Sequence, residues 1–120
     1  LMLSTAGLQR LGLDHLITYE PDPTQFVPAP GQGMLAIQHR KNEPELAQWV
    51  HRLVNPSIHA LGEQYFELLQ GIAFNCNLPF GAYIEGDQCH VYLKHRTGEQ
   101  MTFPVSDMAS AIKKIRELAQ

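Results

Sequence analysis

No apolar run in the 120-residue chain approaches membrane-spanning length, so no membrane partner is expected. There is no lysine or arginine run and no interleaving of aromatic with basic residues. With a net charge of −3, the composition speaks against nucleic-acid binding, and an anionic small molecule would need arginines supplied from elsewhere. Cysteine is scarce too. The two thiols, Cys76 and Cys89, belong to a sequence whose start, LMLSTAGLQR, has neither the basic region nor the sustained apolar core of a secretory signal. Reduced cysteines in the cytoplasm are therefore expected rather than a disulfide. That start reads as a helix already under way, and the chain is expected to have lost its beginning. Metal-ligand spacing is missing as well. His15, His39, His51, His59, His90 and His95 form no pair on one helical face and have no CxxC partner, while Cys89 and His90 point to opposite sides of a strand. The histidines are read as surface residues and no metal is expected.

What is present suits a folded domain. At 44% hydrophobic and 18% charged residues the chain is globular rather than disordered, and its length allows one ordinary core. The segment STAGLQRLGLDHLI predicts a helix closed by Gly12 with an extended exit. From Tyr19 to Gly33 the prolines at 21, 23, 28 and 30, with Gly31 and Gly33, exclude helix and central strand, leaving a connecting segment. MLAIQHR, from Met34, is a short strand candidate.

Two helices are predicted next. Asn42 is read as a cap, with Pro44 in the first turn, Glu45 at capping-box spacing, and Leu46, Trp49, Val50 and Leu53 as one apolar stripe. Asn55 and Pro56 open the second, whose Ile58, Leu61, Tyr65, Leu68 and Ile72 recur at helical spacing; Asn55 is the natural hinge. Beyond Cys76 the period becomes two: FGAYIE, then QCHVYLKHR with Cys89, Val91 and Leu93 on one face, then QMTFPV with Met101, Phe103 and Val105. EGDQ and RTGE are the turns. Ser106 or Asp107 caps a last helix whose Met108, Ala111, Ile112, Ile115 and Leu118 face one way. Residues 55–120 thus predict a small α+β unit, a three-stranded antiparallel sheet with its helices on one face.

The stretch AFNCNLPFGAY places Cys76 between two asparagines ahead of Pro79 and Gly81, which predicts a loop. A loop thiol can act as a nucleophile; its alternative is a small buried hydrophobe. Asn75 and Asn77 either bond the backbone of a turn or reach a ligand. Cys89, on the inward face of a strand, is expected in the core. Tyr65, Phe66 and Phe74 either shape a pocket near Cys76 or belong to the core. APGQG is read as a hinge at Gly31 and Gly33, with Gln32 open to a ligand role.

Three runs in order, AGLQRLGL, VPAPGQGMLAIQHR and NCNLPFGAY, resemble the C-terminal part of the hydroxymethylbilane synthase (porphobilinogen deaminase) family of tetrapyrrole biosynthesis. The resemblance covers nearly all of this chain and roughly the last two-fifths of a family member. It implies that residues 1–54 are an incomplete remnant of two α/β periplasmic-binding-protein-like cleft domains. Residues 55–120 would be the cofactor-attachment α+β domain, with Cys76 bound through a thioether to dipyrromethane. Asn75 and Asn77 are the accompanying cofactor-binding candidates. The sequence departs from the family in the helix GEQYFELLQ, where members carry a Glu-Arg pair, at Phe74 and Asn75, where they carry two glycines, and at Gln38, where an acidic residue is common.

The same resemblance implies a cytoplasmic transferase, monomeric when full length, that condenses four porphobilinogen molecules into hydroxymethylbilane on its dipyrromethane primer. Its partners would be porphobilinogen, the pyrrole-chain intermediates and the missing N-terminal domains. Those domains hold the catalytic aspartate and the substrate-binding arginines, so no catalytic residue is expected in this chain, which alone should be inactive. The other reading of the residues is a divergent, non-catalytic α+β binding or interaction domain without cofactor.

Overall fold

Glycine and proline decide where the early elements stop and start. The computed structural model describes residues 1–73, 78–94 and 98–119. Helix α1, Thr5–Arg10, begins at Ser4, whose hydroxyl accepts from the Gly7 amide. It ends as the sequence predicts. Gly12 takes φ +68°, its amide bonds the Gln9 carbonyl at 3.0 Å and the Leu13 amide bonds the Leu8 carbonyl at 2.9 Å, a paired closure that needs a left-handed residue. The exit is not extended, however. Asp14–Leu16 turn once as a 3-10 segment, because the Leu16 and Ile17 amides fold back onto the Leu13 and Asp14 carbonyls.

Residues 17–33 form the expected connection, with turns at 23–26 and 29–33. Residues 34–40 are not a strand, which corrects the expectation for MLAIQHR: among the described residues no other segment offers them a ladder, and Leu35 is 94% exposed. Helix α2, Pro44–Leu53, also differs at its start. Pro44 occupies the first helical position, so the cap falls on Glu43 rather than Asn42, and no side chain caps it. Its stripe exists but is uncovered, with Leu46, Trp49 and Leu53 all exposed and the Arg52 guanidinium 4.9 Å from the Trp49 ring centre.

Helix α3, Pro56–Gly71, is capped by Asn55, whose Oδ1 accepts from the Ser57 and Ile58 amides at 3.0 and 3.3 Å. Val54 and Asn55 are both extended, so the chain breaks cleanly between α2 and α3. The antiparallel sheet follows in the order β1 (Phe80–Glu85), β2 (Gln88–Leu93), β3 (Glu99–Pro104). Its register pairs Ala82 with Val91 and Ile84 with Cys89, then Val91 with Met101 and Cys89 with Phe103. One face thereby collects Phe80, Ala82, Ile84, Cys89, Val91 and Leu93, all buried. A 3-10 turn, Val105–Asp107, leads into α4, Met108–Leu118; Asp107 takes the cap position without a side-chain bond.

Helices α3 and α4 close the inward face, with Tyr65, Leu68 and Ile72 from one and Met108, Ala111 and Ile115 from the other. The architecture is the α+β arrangement read from the sequence. At the crossing of the two helices Gly71 has no room for a side chain: a Cβ would overlap Ile112 Cδ1 and lie 2.8 Å from its Cγ1. Every buried hydrophobic residue among those described lies between Tyr65 and Ile115, and none belongs to residues 1–54.

Candidate functional site

Cys76, Asn75 and Asn77, the cofactor-binding candidates, lie outside the described residues, as do Phe74, His95 and the first half of the RTGE turn. The flanks are described. Helix α3 is stopped by Ala73, whose φ of +52° is a left-handed conformation that costs a residue with a Cβ about 1 kcal/mol. On the far side, half-buried Leu78 packs against the core and Pro79 accepts the Lys94 amide at 2.9 Å, which carries the β1–β2 pairing one step past the strands. The chain between α3 and β1 therefore starts and ends on the core.

The second thiol is chemically different. Cys89 is fully buried on β2, and desolvation pushes its pKa up from 9.0 to about 11. It is core, as expected, and neither access nor thiolate is available at neutral pH. Tyr65 is core as well. Its hydroxyl accepts the Ile84 amide at 2.9 Å, and burial raises its pKa while that bond opposes the rise. Phe66, by contrast, is 58% exposed and stands outside the core, because it falls on the helix face opposite Leu68.

Ionisation of Cys89 gives a pH dependence of known sign. Between about pH 9 and 11 the unfolded chain has lost a proton that the folded chain keeps, so stability is fully present below that window and falls as pH rises through it. The loss is on the order of 2 kcal/mol. Tyr65 acts in the same direction from pH 10 upward. Urea midpoints measured across the window should fall for the native sequence and fall less for Cys89→Ala; equal slopes would refute the assignment.

The glycines of APGQG both take positive φ, +68° at Gly31 and +89° at Gly33, and Gln32 is used locally, its Oε1 accepting the Ala29 amide at 3.3 Å. Of the histidines, His15, His39, His51 and His59 are exposed and His90 is half-buried. Gln38 lies with His39, Arg40, Glu43 and Leu46 around a surface depression, where Arg40 pairs with Glu43 at 3.1 Å. Glu63 is exposed on α3. Two features had no periodic signal in the sequence. One is the Tyr65 hydroxyl, which only the choice of tyrosine over phenylalanine in an apolar stripe could have betrayed. The other is the contact of residues 22–28 with the sheet, whose one trace is Gly81.

No helix among the described residues is long and apolar enough to cross a membrane. Comparison with known proteins adds what geometry cannot. Residues 1–48 match a family model described as "Porphobilinogen deaminase, dipyromethane cofactor binding domain". The matched stretch ends before Cys76, so it covers α1, the connection and the first half of α2 rather than the sheet. A porphobilinogen deaminase of Fusobacterium nucleatum is 33% identical over 124 aligned residues, covering 99% of this chain and 41% of that protein. Those of Roseiflexus castenholzii and Clostridium kluyveri are 33% and 35% identical over 77% and 72% of this chain. The chain spans only 31% and 30% of their lengths.

Proposed function

Because the chain belongs to the porphobilinogen deaminase family, we propose that it is the C-terminal portion of a hydroxymethylbilane synthase and supplies the cysteine that anchors its dipyrromethane primer. One observation supports the attachment site: of the two thiols in the sequence, Cys89 is sealed in the sheet with its pKa pushed up to about 11, so the attachment role falls to Cys76. Dipyrromethane, when bound, supplies the terminal pyrrole carbon to which porphobilinogen units are added, each with loss of ammonia. This chain's part is to supply the Cys76 sulfur from the segment between α3 and β1. Asn75 and Asn77 are assigned to donate side-chain amides to the primer's carboxylates.

Residues 1–54 are assigned to the two cleft domains and 55–120 to the attachment domain, in keeping with the confinement of the buried core to the second part. The uncovered stripe of α2, with Trp49 and Leu53, then faces the N-terminal part of the full protein. That part provides the acid that assists ammonia loss and the arginines that hold the growing polyanion, so the isolated chain is inactive. The full protein is assigned to the cytoplasm as a monomer, acting on porphobilinogen to make hydroxymethylbilane.

Intact mass tests the proposal. The chain made together with its N-terminal part should carry a dipyrromethane adduct, and peptide mapping should place it on Cys76. Persistent absence of the adduct would favour a non-catalytic α+β binding domain, to which Phe74 and Asn75, in place of the family's glycines, already point.

A further inference from the structure

Part of the outer face of the sheet lies under the connecting segment. We propose that residues 22–28 form a clasp that fixes the connecting segment across this face and seals the free edge of β1, with Gly81 as the residue that admits it. The clasp is built locally first: Asp22 Oδ1 accepts the Thr24 hydroxyl at 2.7 Å and the Thr24 amide at 2.8 Å, and the Phe26 amide bonds the Asp22 carbonyl at 2.8 Å. Those Thr24 bonds, side chain first, lower the Asp22 pKa, with a small further contribution from His90 on β2. The turn so formed then spans the sheet. The Gln100 side-chain amide of β3 donates to the Thr24 carbonyl at one side. At the other, the Ala82 amide of β1 donates to the Pro28 carbonyl at 2.9 Å.

Gly81 explains how the chain comes this close. A Cβ there would stand 2.8 Å from the Val27 carbonyl oxygen and 2.9 Å from that of Pro28, both backbone atoms with nowhere to go. Past the edge, Met34 packs against the core, its Cε 3.3 Å from where a Cβ on Gly62 would be. The connection therefore wraps β1 from outer face to inner layer. Two outward amides of β1 find partners in this way, Ala82 through the clasp and Ile84 through Tyr65, so the edge is closed to pairing by another strand. The segment 22–28 and the sheet consequently move as one body.

Amide hydrogen exchange resolved at single residues tests this, because the two edge amides have different partners. Gly81→Ala should speed exchange at Ala82 by about tenfold while leaving Ile84 unchanged. Unchanged exchange at Ala82 in this variant, or unprotected exchange there in the native sequence, would overturn the clasp. Should Gly81→Ala speed both amides alike, the sheet itself has opened and Asp22→Ala decides. Asp22 lies outside the core, so this variant should raise exchange at Ala82 alone, and no rise at Ala82 would overturn the proposal.

Discussion

Replacing Cys76 by serine in the protein that carries this chain with its N-terminal part is expected to remove the covalent adduct and reduce hydroxymethylbilane formation to background. A thiol near its ordinary pKa keeps a few per cent thiolate at neutral pH and is intrinsically nucleophilic, whereas a serine hydroxyl does not ionise there. The matching control is Cys89→Ser. That change buries a hydroxyl among Ile84, Phe103 and their neighbours at about 1–3 kcal/mol, yet it should leave the adduct in place. Opposite behaviours of the two variants, read by intact mass and by product formation, are the expected result. An adduct that survives Cys76→Ser would move the attachment site and return the chain to the non-catalytic reading.

The parts of the fold that were legible in the sequence are those whose partners lie in the same 65 or so residues. Cys89, Val91 and Leu93 alternate because β2 is the central strand with one face against helices, and Tyr65, Leu68 and Ile72 recur because α3 lies on that face. Where the partner is not at hand, pattern and structure separate. MLAIQHR has strand character but no ladder among the described residues, and the stripe of α2 has nothing over it. At the start of α2 two local signals competed; Pro44, which must sit at the first turn with no amide to give, set the boundary one residue later than Asn42 implied. The clasp left no trace beyond Gly81 for a different reason. Its bonds are made by backbone carbonyls of Thr24 and Pro28, which carry no side-chain signature. The proposed cofactor site rests on the resemblance alone, since a lone cysteine between asparagines has no periodicity to read.

Leu68→Ala is expected to be strongly destabilising, and its comparison with α2 tests how the chain is divided. Leu68 is fully buried between α3 and the sheet, and removing its side chain loses the transfer energy and leaves a cavity that rigid neighbours cannot fill, together about 3 kcal/mol. Since a domain of this size holds only about 5–10 kcal/mol in all, the loss is a large fraction of its stability. Leu53→Ala on α2, where the side chain is 73% exposed, should change stability of the isolated chain by no more than about 0.5 kcal/mol. On the proposed division the contrast should narrow in the protein joined to its N-terminal part, where the stripe of α2 would have a surface to bury against. Urea denaturation of both variants, in the isolated chain and in the joined protein, reads the difference directly. Equal destabilisation by the two substitutions in the isolated chain would mean that α2 shares the core of 55–120, and the proposed division at Val54 would fall.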